Sequence, residues 1–259
     1  MTANLEKLRY LLVVGIVASS TAVAVTWEEQ ATRLQNISAS LIENLPMSAP
    51  VHSNLRMGLE NRVSMLPKVN PQVGSKSEKV PSSPIHAIPM LTFETSWILG
   101  LRLWAGYLPP GLESLIGIDA KLTQKSIGGE IQPSIGPFYF VLGVSKTSAK
   151  LLGAITAIDA KDEFDMTSSS VHIASGLKFG SLFTNVMFIK KNTDSRLVIP
   201  SDQTEVSLTD KLNDSSPPFG VQLMGGLWFW GEHRIALGVL HQDKRLTMPR
   251  LLVDFGYGF

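Results

Sequence analysis

The chain has 259 residues, 17% of them charged, with a net charge of +1 and no cysteine. That balance excludes the strongly basic field used to hold nucleic acid, and the missing cysteines exclude disulfides, thiolate metal sites and an acylated cysteine anchor. No apolar run reaches the roughly 18 to 20 residues of a spanning helix, so life in a membrane would require a closed β-barrel, the other architecture that satisfies every backbone group in lipid.

In chain order, residues 1–24 read as a secretory signal. Lys7 and Arg9 give the positive start, Leu11 to Ala18 the short apolar core, and Ala22-Val23-Ala24 the small-x-small cleavage pattern. Residues 25–54 predict a periplasmic amphipathic helix and linker. Thr26 and Glu29 form a capping box, and Trp27, Ala31, Leu34, Leu41 and Ile42 share one helical face. Such a helix would pack under the barrel, enter its lumen or stay exposed. Pro46 and Pro50 end it.

From Leu55 the hydrophobic period changes from helical to two. Alternation predicts about ten strands, near 55–65, 89–107, 115–125, 136–146, 151–160, 168–180, 183–192, 219–230, 233–242 and 249–259. Twelve result if 89–107 is two strands and part of 196–209 also pairs. The connections alternate between short and longer, the signature of a barrel with short periplasmic turns and long outside loops. An even count brings both termini to the periplasmic side. Trp104, Tyr107, Trp228, Trp230, Tyr257 and Phe259 fall near strand ends, where interfacial girdles lie.

The last strand is the strongest single signal. Leu251, Val253, Phe255, Tyr257 and Phe259 occupy one face, and Leu252, Asp254, Gly256 and Gly258 the other. This alternation, ending on an aromatic, resembles the closing strand of bacterial outer-membrane β-barrels. The resemblance is to the class as a whole and covers residues 55–259. It implies an all-β, antiparallel up-and-down transmembrane barrel in the outer membrane, exported in Sec fashion. It also implies that Phe255, Tyr257 and Phe259 form an insertion signal read by the barrel-assembly machinery, with outer-membrane lipid as the standing partner.

Charges on the face opposite the apolar one are the candidate lumen residues: Arg56, Glu60, Arg62, Glu94, Arg102, Asp119, Lys121 and Asp254. Mixed signs on neighbouring strands suit a buried network that closes the lumen, since unpaired charge there would be costly. They also suit a constriction that selects a small solute. A ten-stranded barrel is too narrow for general diffusion. Ser170 and His172, two apart on one strand face, and His241 with Asp243 are the candidate hydrolase groups at the outside rim. His241 and Asp243 fall on the lipid side. The acidic loop of Asp159, Asp162, Glu163 and Asp165 lacks the glycine and spacing of a calcium-binding loop. No catalytic set, metal site or cofactor motif emerges. The reading is a small structural or narrow-channel barrel; the alternatives are a rim hydrolase and a secreted soluble binding barrel.

Overall fold

The structure is a computed structural model that describes residues 46–65, 85–97, 99–108, 120–153, 161–199, 204–210, 219–242 and 246–259. The signal-like residues 1–24, the helix expected over 26–44, Asp119, Asp159 and Asp243 lie outside the described residues. Twelve strands are formed: β1 (Leu55–Met65), β2 (Ile85–Thr95), β3 (Leu101–Leu108), β4 (Ala120–Ile131), β5 (Ser134–Ile135), β6 (Phe138–Gly153), β7 (Asp162–Phe179), β8 (Leu182–Ile199), β9 (Thr204–Asp210), β10 (Phe219–Phe229), β11 (His233–Gln242) and β12 (Leu246–Gly258).

Ten of these close into an antiparallel ring. β12 pairs with β1 from Arg56↔Gly258 to Ser64↔Arg250, and β8 pairs with β10 from Phe219↔Lys190 to Leu227↔Leu182. β5 pairs only with β6 at a turn, and β9 pairs only with β8 above the ring. Ten strands were expected, but they divide the chain differently. Residues 89–107 make two strands, split at Gly100, which has φ +66° and lies where a Cβ would meet the Gln132 carbonyl oxygen at 2.8 Å. Residues 151–153 merely finish β6, so no separate strand arises from 151–160 among the described residues. The two differences cancel, and the alternation of connections survives. The strand ends that flank residues 96–100, 132–137, 180–181 and 230–232 lie at one end of the ring, and those that flank 66–84, 109–119, 154–161, 200–218 and 243–245 lie at the other, the long-loop end.

Following the paired register once round the ring returns to β1 displaced by about 12 residues, which tilts ten strands by about 40° to the barrel axis. Every second side chain then points outward. The outer face carries Met57, Leu91, Phe93, Leu103, Ile127, Phe140, Leu142, Val144, Val171, Ile173, Phe188, Leu223 and Leu237, all exposed. The inner face carries Arg56, Glu60, Arg62, Glu94, Arg102, Arg234 and Asp254, none more than 2% exposed. A soluble barrel would reverse this partition. Apolar outside and ionic inside is the partition of an outer-membrane β-barrel, in which lipid replaces water around the wall. On β6 the outer apolar face runs from Phe138 to Val144 before Lys146. That spans about 20 Å along the strand, or about 15 Å along the membrane normal at this tilt.

Candidate functional site: the occluded lumen

Two devices narrow the lumen. The first is an ionic network built from the inward positions of six strands. Arg56 on β1 reaches Glu94 on β2 at 3.3 Å and Asp254 on β12 at 2.9 Å. Arg234 on β11 donates through Nε to Asp254 Oδ2 at 2.6 Å and also pairs with Glu94. Arg102 on β3 bridges Glu94 at 3.1 Å and Glu130 at 3.3 Å, and pairs with Glu60. Arg62 pairs with Glu60 in turn. Arg56, Arg62, Arg102 and Arg234 thus balance Glu60, Glu94, Glu130 and Asp254. Desolvated charge is tolerable when each ion is paired this way. Two indoles pack against the cations: Arg234 lies 4.9 Å from the Trp228 ring centroid and Arg62 lies 5.2 Å from that of Trp104.

The second device is the chain itself. Residues 46–50, from the stretch read as a periplasmic helix and linker, are all buried inside the ring. Ser48 Oγ donates to Glu130 Oε2 at 2.5 Å, and the Asn185 amide donates to the Ser48 carbonyl at 2.6 Å. The Gln132 amide donates to the Ala49 carbonyl at 3.0 Å while its oxygen accepts from Val51 N at 2.8 Å. The Gln222 amide donates to the Pro46 carbonyl at 3.2 Å. Met47 and Ala49 pack with Phe183, Met224, Trp228, Ala236 and Leu252. The segment therefore enters at the short-turn rim beside β1 and reaches mid-barrel, a strap inside the pore. At its entrance Lys178 Nζ donates to His52 Nδ1 at 2.6 Å, and the His52 ring lies 5.0 Å from that of Trp228. Burial and the Lys178 charge push the His52 pKa below its usual value of 6.5.

Above these layers the lumen is lined by hydroxyl pairs, Ser145–Ser170 at 2.6 Å, Ser168–Thr193 at 3.0 Å and Ser126–Thr147 at 3.2 Å. At the long-loop end an apolar cluster of Ile88, Leu108, Leu122, Phe164, Met166 and Leu197 follows.

The structure brings Arg56, Glu60, Arg62, Glu94, Arg102 and Asp254 together. Lys121 does not join them: it is exposed on the outer face, and Leu122 points inward. There β4 has left the lipid, so charge suits the outside and apolar packing the inside, which inverts the pattern read lower down. Trp104 and Trp228, expected in the girdles, are 3% and 7% exposed and luminal, whereas Tyr107, Trp230, Tyr257 and Phe259 are exposed on the outside. Phe255 is exposed on the same face of β12. Ser170 and His172 lie in the middle of β7 and face the lumen, away from the rim. Ser170 bonds to Ser145, and His172 Nε2 bonds to Glu130 at 3.1 Å rather than to the serine. His241 is exposed and bonds to Thr247. Of the acidic loop, Asp162 is buried, whereas Glu163 and Asp165 face Lys150. Among the described residues no cluster of three metal-ligating side chains forms.

Sequence reasoning missed Glu130, Arg234 and the strap. Arg234 shares parity with Ala236 and Gly238, so the alternation contained it; Glu130 shares parity with Leu122, which the alternation assigned to the lipid face. The strap carried no signal, because Pro46 to Pro50 has no periodicity.

No family model and no curated protein matches the sequence. Among solved structures the chain is similar to the translocator domain of the autotransporter NalP from Neisseria meningitidis, at 11% identity over 100% of both chains and a TM-score of 0.48. It is also similar to a deltaS2 mutant of the TodX monoaromatic hydrocarbon channel, at 11% identity over 80% of this chain and 69% of that one, with a TM-score of 0.31. A triple mutant of the Rhodopseudomonas blastica porin matches at 7% identity over 78% and 100%, with a TM-score of 0.26.

Proposed function

We propose that the protein forms a narrow, normally shut passage for small hydrophilic solutes across the outer membrane, with its own strap as the plug. The observation that carries this reading is the seating of residues 46–50 against Glu130, Gln132, Asn185 and Gln222. Met47 is the one large side chain that the strap buries among apolar neighbours. Its other holds are hydrogen bonds that water can replace, so undocking exposes little apolar area and leaves a wettable column. The remaining lining sets the ionic network and hydroxyl pairs beside apolar clusters around Phe164 and Met187, and its charged and hydroxyl groups are what would select polar solutes. In this reading the short-turn rim faces the periplasm, residues 1–24 direct export, and Phe255, Tyr257 and Phe259 serve the assembly machinery.

The test is planar-bilayer recording of the full chain beside a variant lacking residues 25–50. The full chain is expected to stay mostly closed, and the deletion to conduct steadily. A deletion variant that inserts and folds yet remains silent would overturn the passage and leave a structural barrel.

A further inference from the structure

Above the apolar band the outer face of the barrel changes in a patterned way. Going outward along β4, the exposed residue after Ile127 is Lys125. On β6 the one after Val144 is Lys146, and on β8 the one after Phe188 is Lys190. On the intervening β7 it is Ser169, after Val171. The register shows that these positions form a descending staircase. Lys125 faces Ser148, two residues above Lys146. Lys146 faces Ser169, which faces Asn192, two residues above Lys190. In a barrel whose strands tilt by about 40°, such a staircase is a level line in the membrane frame. Three ammonium groups therefore stand at one height, where hydrocarbon gives way to headgroups. Lys125 and Lys146 are diagonal neighbours about 8 Å apart, and Lys190 lies about 12 Å from Lys146, two strands away.

These lysines lack ion pairs among the described residues, whereas Lys150, one step further out, is held by Glu163 and Asp165. Immediately above them a shallow groove of about 610 Å³ lies on the same wall, lined by Lys125, Ser148, Lys150, Thr167, Asp194 and Arg196 among others. The opposite rim has a different chemistry. Trp97, Phe138, Phe179, Leu182, Trp230 and Phe259 dominate its exposed outer face. The cationic line is thus confined to one leaflet.

We propose that the outer face of β4, β6 and β8, where these strands leave the apolar band, holds the phosphorylated headgroup of a lipid in the leaflet at the long-loop end. The acyl chains would lie on Ile127, Val144, Val171 and Phe188, directly below. Two phosphates on one headgroup match lysines spread over about 8 to 12 Å, and the groove receives the polar portion between them. The inference rests on the barrel's membrane setting and is independent of whether the lumen conducts.

Native mass spectrometry of the full chain released from detergent micelles tests it, with diphosphoryl lipid A as the probe and its dephosphorylated form as the comparison. The wild-type chain is expected to retain one diphosphorylated lipid and not the dephosphorylated form. The triple variant K125Q/K146Q/K190Q should lose roughly 100-fold in affinity, from about fivefold per lysine near an anionic surface. Lys121→Gln, exposed on the same wall but outside the groove, should retain the lipid. If the triple variant fails to fold, as judged by heat-modifiable migration, K146Q and K190Q singly should each show the fivefold loss. Unchanged retention in folded variants, an equal loss in Lys121→Gln, or displacement by millimolar inorganic phosphate would overturn the proposal, the last by identifying a site for the free anion. A chain that fails to float with lipid vesicles would count against the membrane setting itself, a result distinct from these.

Discussion

Individual side chains in this barrel matter through what they neutralise. Arg234 touches Glu94 and Asp254, all three buried to 0% exposure. Replacing it with methionine removes the charge, keeps most of the volume and leaves two carboxylates facing each other. Breaking a buried ionic set from one side costs about 3–5 kcal/mol. Arg234→Met should therefore lower the urea midpoint of the vesicle-inserted chain, read by tryptophan fluorescence. Replacing Arg234 and Asp254 together by apolar residues should cost less than the single change, because less charge is left unmatched. Equal midpoints for wild type and Arg234→Met would show that water, not the partner, solvates these groups. Glycine has its place at this scale as well. A Cβ on Gly256 would meet the Arg56 guanidinium at 2.0 Å, and one on Gly143 would meet His172 Nε2 at 2.3 Å. Bare backbone there gives the long luminal side chains room to lie across neighbouring strands.

Among the elements, β12 closes the ring and also presents the terminal aromatics. Phe259 N donates to Leu55 O at 2.9 Å, the last bond of the β1–β12 seam, while its ring sits outside against Tyr257 at 5.0 Å. One bond at the end of a long ladder contributes little to the finished barrel, on the order of 1 kcal/mol. Deleting Phe259 should consequently leave refolding into synthetic vesicles nearly intact. Membrane assembly in cells should fall severalfold, if the terminal aromatic is read as an insertion signal. Cell fractionation beside in vitro refolding checks this, and parallel losses in both would assign Phe259 a merely structural part. The strap is the complementary element. It has no secondary structure of its own and takes its path from polar groups on β8, on β10 and just past the end of β4.

Over the whole molecule, the strap and the wall are coupled at the short-turn rim by His52 and Lys178. The docked state holds the His52 pKa below 6.5, so it binds fewer protons than the undocked state. Docking is then at full strength above the free histidine value, and it weakens as pH falls through that value toward the depressed one. The ring is charged only in the acid limb, where it opposes Lys178. Conductance of the full chain should rise as pH is lowered from about 7 to about 5, given an unperturbed histidine near 6.5. His52→Asn should flatten the rise. A pH profile unchanged by that substitution would move the proton-sensitive step elsewhere.

The sequence by itself determined the class of fold. Alternation from Leu55 to Phe259, low charge and the parity of the short and long connections sufficed for an even-stranded barrel with one apolar face, because a strand's side-chain period of two is a local property. It determined most of the lumen charges for the same reason. Only the tertiary structure decided which apolar residues turn inward and what fills the pore. Leu122 and Trp228 obey the same alternation as their lipid-facing counterparts, yet whether a given parity meets lipid or lumen depends on where the strand stands relative to the bilayer. The pairing of Arg56 with Glu94 and Asp254, and of Ser48 with Glu130, joins residues brought together by ring closure and by a strap without periodicity. Local pattern carries no record of such contacts, since they are made by register and by the space the closed ring leaves.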